Sequence, residues 1–97
     1  MCLMGIVLTD HAKERLRERE IGIEEVETTV NLPERQFYDL RSGHFVAIGP
    51  RNVPNHWLIV AYDKRDDTIE VITVIDTSKS LGKIIERRLS SRRWVEV

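Results

Sequence analysis

The alternation of apolar and polar residues divides the chain into short strands and helices. Residues 3–8 form a short apolar run with β-branched members, which predicts a buried strand. Thr9 follows as the expected N-cap of a helix over 10–20 that has only two apolar positions. A second helix is predicted over 23–31, and it ends before Pro33 because the residue that precedes a proline avoids the helical region.

Four strands are predicted after the second helix, and polar turns separate them. They cover 35–41, 44–49, 57–63 and 68–76. Short connections between consecutive strands imply an antiparallel meander. On the last strand, the alternation puts Thr73 on the same face as Ile69, Val71 and Ile75. The expected fold class is therefore α+β, with the two early helices on one face of an antiparallel sheet of four or slightly more strands.

The C-terminal residues have a helical pattern of their own. Residues 79–92 carry an apolar stripe made of Leu81, Ile84, Ile85 and Leu89, and residues 93–97 fit a short edge strand. We expect a domain of this size to leave the stripe partly uncovered, and we predict that it packs against a second subunit in a homo-oligomer. The chain then divides into an α+β domain, 1–78, and a basic helix and tail, 79–97, which belongs to the same domain or to an oligomer contact.

The net charge of −1 conceals an uneven distribution. Residues 1–34 carry four basic and eight acidic side chains, whereas residues 79–97 carry six basic and two acidic ones. The basic C-terminal block can attract either phosphate backbones or acidic protein surfaces. The overall acidity argues against a strong RNA binder, and the opposite charges of the two ends suit self-association equally well.

Composition also restricts the compartment and the chemistry. Cys2 is the only cysteine, which fits a reducing, cytoplasmic location. No apolar run approaches 18 residues and the first ten residues do not resemble a signal peptide, so no membrane partner is expected. The sequence has no Gly-rich phosphate loop, no zinc-type Cys/His spacing and no nucleophile elbow, so we expect neither a metal nor a cofactor.

The first predicted helix carries a row of charged side chains. His11, Arg15 and Arg19 lie four residues apart, which places them on one side of the helix. Such a row is either a solvated face or a working site. As a solvated face, it would leave His11 bonding only a backbone group, and Arg19 would pack its stem on the core and pair with Glu24 or Glu25.

The row is part of a longer pattern in the sequence. The segments TDHAKERLRERE, IEEVETTV, NLPE and EVITVID, within about residues 3–76, together resemble a small bacterial and archaeal family of unknown function with the signature His-Ala-x-x-Arg-x-x-x-Arg-Gly-Ile. That family looks related to the RelE and BrnT toxins, which are small ribonucleases built as two helices on a twisted antiparallel sheet. Two positions depart from the pattern, since Glu20 replaces the glycine and Leu32 separates Asn31 from Pro33.

The resemblance implies a RelE-like architecture and a toxin-like, metal-independent endoribonuclease, neutralised by an antitoxin-like partner protein. Such an enzyme needs a base for the 2′-hydroxyl, cations for the phosphate and an acid for the leaving 5′-oxygen. His11 suits the base because the helix dipole at the first turn disfavours an imidazolium. The other candidate catalytic residues are Arg15, at the phosphate, His44 and Thr73, and the candidate substrate-binding residues are Arg19, Arg51 and His56.

Two alternatives to the ribonuclease remain open. The same fold can serve as a non-catalytic module that binds protein or RNA without cutting it. It can also serve as a purely structural domain that self-associates through its C-terminal helix.

Overall fold

A computed structural model of the protein describes residues 5–78 and 80–97. The first two residues of the predicted strand 3–8, Cys2 and Lys79 lie outside the described residues. The described part is an α+β fold, as expected. Its elements, in chain order, are β1 (Gly5–Leu8), α1 (Asp10–Glu18), α2 (Ile23–Asn31), β2 (Arg35–Asp39), β3 (His44–Pro50), β4 (Trp57–Arg65), β5 (Thr68–Thr77), α3 (Leu81–Ser90) and β6 (Trp94–Glu96).

The described strands form one six-stranded sheet in the order β1-β5-β4-β3-β2-β6. The meander from β2 to β5 is antiparallel as predicted, and β6 pairs antiparallel with β2 at one edge. β1 pairs parallel with β5 at the other edge, so the expectation of a purely antiparallel sheet was wrong and the sheet is mixed. The hydrophobic pattern identified β1 as a strand, but it does not encode which strand a distant segment pairs with.

Helices α1 and α2 cover one face of the sheet. Ala12 and Leu16 of α1 and Val26 and Val30 of α2 pack in one cluster with residues of β3, β4 and β5. The Thr9 side chain caps α1 as predicted, accepting a hydrogen bond from the Ala12 N–H at 3.1 Å. None of the helices in the described ranges is both long and apolar enough to span a membrane.

Helix α3 covers part of the opposite face, which we call the second face. Ile85 is buried there, and Leu81 and Ile84 pack against a cluster that contains Phe37, Ile48 and Trp94. The predicted apolar stripe is therefore used largely within the chain, and only Leu89, at 36% exposure, stays open. This packing weakens the argument for a homo-oligomer that rested on the stripe, because the second face of the sheet supplies most of the surface that the stripe needs.

A β-bulge in β5 changes which face Thr73 occupies. Ala61 of β4 pairs with Thr73 and Tyr62 pairs with Val71, so Ile72 is the extra residue. Val71 and Val74 both contribute to the cluster under α1 and α2, although their numbers differ by three. The prediction that Val71 and Thr73 share a face was wrong, since one extra residue inverts the alternation that follows it.

Helix α1 ends without glycine, in a geometry that usually uses one. The Ile21 N–H bonds the Leu16 carbonyl at 2.9 Å and the Glu20 N–H bonds the Arg17 carbonyl, which is a Schellman motif. Glu20 has φ of 52°. Ile21 and Leu16 both lie in the core cluster, so apolar packing holds the turn that glycine would otherwise ease.

Candidate functional site

The second face of the sheet carries a cavity of about 180 Å³ beside α3, which we call the cleft. Its walls combine apolar, hydroxyl, imidazole, carboxylate and guanidinium groups. Its lining residues are Asp39, Ser42, His44, Val46, Ile59, Ala61, Ile72, Thr73, Ile75, Arg88, Arg93 and Trp94. A groove of about 500 Å³ lies next to the cleft and shares Ile59, Ile75, Arg88 and Trp94 with it.

The bulge brings Thr73 into the cleft and next to His11. His11 Nε2 lies 3.1 Å from Thr73 Oγ1, at the edge of the sheet. Thr9 joins the start of α1 to the bulge in β5, and we call this contact the junction. The Thr9 hydroxyl donates to the carbonyl of the bulged Ile72 at 2.9 Å while it also caps α1. Two of the four candidate catalytic residues, His11 and Thr73, are therefore in direct contact, although they are separated by 62 positions in the sequence.

His44 is the third candidate catalytic residue in this region. It begins β3 on the second face and lines the cleft together with Thr73. Its Nδ1 atom lies 2.8 Å from Asp63 Oδ1 of β4. A carboxylate at Nδ1 fixes the ring orientation and selects the tautomer with a proton on Nδ1, so Nε2 is the atom left for chemistry.

Asp39 organises the floor of the cleft. Its carboxylate is buried and accepts hydrogen bonds from the backbone N–H groups of Arg41 and Ser42 and from the side chains of Arg93 and Trp94. Burial raises the pKa of Asp39, but the four hydrogen bonds together outweigh burial and hold the pKa below its ordinary value. Asp39 is therefore an ionised anchor that fixes Arg93 and Trp94 against the end of β2.

The cationic wall of the cleft comes from the end of α3. Arg88 lines the cleft and the groove, and its guanidinium lies 5.9 Å from the centre of the Trp94 ring. Arg87 lines the groove beside it. Neither arginine has an ion-pair partner within 5–78 and 80–97, so both guanidinium groups are available to an anion.

No residue of the α1 row lines the cleft itself, and only His11 reaches it, through the contact with Thr73. Arg15 is half-buried and Arg19 is exposed. Neither makes a side-chain ion pair in the described part of the chain, and the expected pairing of Arg19 with Glu24 or Glu25 is not present. Of the three residues in the row, His11 contacts Thr73, whereas Arg15 and Arg19 donate no hydrogen bond to Thr73 or to the other described residues that line the cleft.

Arg51 and His56 belong to a separate network. The Arg51 guanidinium bonds both carboxylate oxygens of Glu25 at 3.1 Å, Asp76 at 3.2 Å and the Glu20 carbonyl at 3.2 Å. His56 Nδ1 lies 3.0 Å from Asp76. The hydrogen bond from Arg51 holds the pKa of Glu25 below its ordinary value, while burial works in the opposite direction. This network holds the loop between β3 and β4 against α2 and β5, and the Arg51 guanidinium is already occupied by these partners.

Sequence reasoning missed the carboxylates and the aromatic group of the site. Asp63 contacts His44, and Asp39 contacts Trp94. Because the partners are distant in the sequence, no local spacing of residues reveals these contacts. The high basic content of residues 79–97 was a signal for Arg88 and Arg93, but it did not indicate the face on which they lie. The described residues contain no group of three or more His, Cys, Asp or Glu side chains positioned to hold a metal ion.

The comparisons with known proteins identify the family. The family model described as "Domain of unknown function (DUF4258)" matches residues 8–86. The chain belongs to the DUF4258 family. No curated protein and no solved structure matches it. The DUF4258 match includes His11, His44 and Thr73 and continues into α3, past the end of the resemblance noted above, whereas Arg87, Arg88 and Arg93 lie beyond it.

Proposed function

We propose that this DUF4258 domain binds RNA in the cleft and cleaves it without a metal ion. The observation that carries the proposal is the convergence on Thr73. This residue contacts His11, and it lines one cavity with His44 and Arg88. Two imidazoles and a free guanidinium are the groups that phosphodiester transesterification requires. The proposal also includes that the domain shares its fold and its type of activity with the RelE and BrnT toxins.

In this mechanism His11 is the base. The Thr73 hydroxyl orients the His11 ring in the free protein, and the 2′-hydroxyl of bound RNA takes its place. His11 removes the 2′-hydroxyl proton as the 2′-oxygen forms a bond to phosphorus. The pentacovalent phosphorane carries additional negative charge, which Arg88 of the cleft stabilises.

His44 acts as the acid in the same step. Asp63 accepts a hydrogen bond from Nδ1 of His44 and fixes the ring, so Nε2 is the atom that can deliver a proton to the leaving group. The bond between phosphorus and the 5′-oxygen breaks, and the 5′-oxygen takes this proton. The products are a 2′,3′-cyclic phosphate and a free 5′-hydroxyl, so the atoms and charges balance without a further reactant.

Arg51 has no part in this mechanism because carboxylates already occupy its guanidinium. His56 pairs with Asp76 in the same network, so we assign it no step either. Arg15 and Arg19 lie on α1 away from the cleft lining and remain candidates for contacts with an RNA strand that extends past His11.

Cleavage of a fluorescently labelled single-stranded RNA in excess chelator tests the proposal. We expect His11→Ala and His44→Gln each to lower the rate by about 10²–10⁴, the usual contribution of a positioned acid or base. Thr73→Val should lower the rate by less than either histidine variant, because the hydroxyl orients the His11 ring only until RNA binds, and Thr73→Ser should keep the wild-type rate because serine retains the hydroxyl. If the wild type and His44→Gln show the same background rate, the catalytic proposal fails and the non-catalytic binding module replaces it.

A further inference from the structure

A third cavity, which we call the arginine basin, adjoins the cleft at the end of α3. It encloses about 560 Å³, and its lining is dominated by guanidinium groups. The lining residues are Leu40, Arg41, Arg87, Arg88, Ser91, Arg92 and Arg93. Arg88 and Arg93 line both the basin and the cleft, so the two cavities lie side by side.

The fold alone does not account for this convergence of arginines. Arg87 and Arg88 lie in the last turn of α3, where they complement the negative end of the helix dipole. Arg41 comes from the turn between β2 and β3, and Arg92 follows the helix with φ of 58°. Neither is a residue of α3, so the dipole argument given for Arg87 and Arg88 does not extend to them. Arginine reaches this basin from two separate segments of the chain.

Most of this positive charge is uncompensated. Arg93 pairs with Asp39 at 3.1 Å, but Arg41, Arg87 and Arg92 have no carboxylate partner within the described ranges. Like charges gathered in one basin repel one another and destabilise the fold. A bound anion would remove that repulsion, and guanidinium groups match the oxygens of a phosphate in bidentate geometry.

We propose that the arginine basin binds a phosphate of the RNA strand next to the phosphate that is cleaved. This inference rests on the proposed function, because RNA in the cleft is what places a neighbouring phosphate in the basin. Continuity through Arg88 and Arg93 favours a polymer over a free small anion, since a polymer can occupy both cavities at once. The basin then sets the direction of the strand and raises its affinity, while His11 and His44 carry out the chemistry.

Binding of a 2′-O-methyl RNA oligonucleotide, which cannot be cleaved through its 2′-oxygen, tests the inference separately from catalysis. Fluorescence anisotropy over a range of salt concentrations compares the wild type with R87Q/R92Q. The control is R17Q/R65Q, which removes the same charge from two exposed ion pairs outside both cavities. We expect the basin variant to weaken binding about tenfold or more and to reduce the salt slope by about 0.7 for each lost phosphate contact.

Each outcome of this experiment is decisive for the basin. Equal weakening by R87Q/R92Q and R17Q/R65Q would show a response to net charge alone and overturn the inference. Absence of RNA binding by the wild type would also overturn it, and would leave an acidic protein surface as the ligand to examine. If binding depends on the basin but the wild type cuts no RNA, the proposed cleavage fails while the phosphate site stands.

Thermal unfolding in the presence of inorganic phosphate or of a nucleoside monophosphate is a second test. If a phosphate occupies the basin, either ligand should raise the melting temperature of the wild type and of R17Q/R65Q, but not that of R87Q/R92Q. The free R87Q/R92Q protein should be about as stable as the wild type, because relief of the repulsion offsets the loss of the favourable interaction of Arg87 with the helix dipole. A clear loss of its stability without ligand would contradict the claim that these arginines are uncompensated.

Discussion

Replacing Thr9 by valine should destabilise the junction that sets the face of Thr73. The Thr9 hydroxyl accepts from the Ala12 N–H and donates to the carbonyl of the bulged Ile72. Valine has nearly the same shape and removes both bonds. Loss of an N-cap side chain costs about 1 kcal/mol, and loss of the second hydrogen bond costs about the same. We therefore expect the free energy of unfolding to fall by about 2 kcal/mol.

Circular dichroism during thermal and urea unfolding measures this loss. For a domain of this size, about 2 kcal/mol corresponds to a fall in melting temperature of roughly 8 to 16 °C. Thr9→Ser is the matched control because it retains the hydroxyl, and it should stay within about 0.5 kcal/mol of the wild type. A valine variant as stable as the wild type, or a serine variant as unstable as the valine variant, would refute the role given to this hydroxyl.

Three further substitutions follow from the contacts described above. Asp39→Asn should cost about 2 kcal/mol at pH 7 in urea unfolding. Because the pKa of Asp39 is depressed in the folded state, its stabilisation is lost as the pH falls from about 4 towards the folded pKa, so the gap between the variant and the wild type should narrow there. Glu20→Gly should raise stability by about 0.5 to 1 kcal/mol, whereas Glu20→Ala should not, because glycine relieves the positive φ. Arg51→Gln should cost about 3 kcal/mol by removing the cation that pairs with the partly buried carboxylates of Glu25 and Asp76, yet it should leave the RNA affinity of the folded protein nearly unchanged. A large loss of affinity would return Arg51 to the binding site.

Local patterns in the sequence predicted the elements well, since each element depends on its own residues. The second helix was predicted over 23–31, where α2 lies, and the Thr9 cap was identified from the residue type. The bulge at Ile72 could not be predicted in this way. It arises from the pairing of β4 with β5 and from the Thr9 contact, both of which join residues distant in the sequence.

The candidate site shows the same division between local and distant information. The charged row on α1 pointed to His11, but Thr73 became its neighbour only through the bulge. The basic C-terminal block was compatible with either a phosphate backbone or an acidic protein surface as its ligand, whereas the apolar stripe of the same helix suggested a partner subunit. Packing of Ile85 on the second face decides where the helix lies, and it thereby places Arg88 beside the cleft.

The most direct test of RNA cleavage by the cleft is the chemistry of the product ends. Wild-type protein is incubated in excess chelator with a single-stranded RNA and with the same strand carrying 2′-O-methyl groups, and mass spectrometry identifies the fragments. We expect RNA fragments that end in a 2′,3′-cyclic phosphate and no cleavage of the methylated strand. Intact RNA after prolonged incubation with excess protein, or equal cleavage of the two strands, would contradict the proposed mechanism.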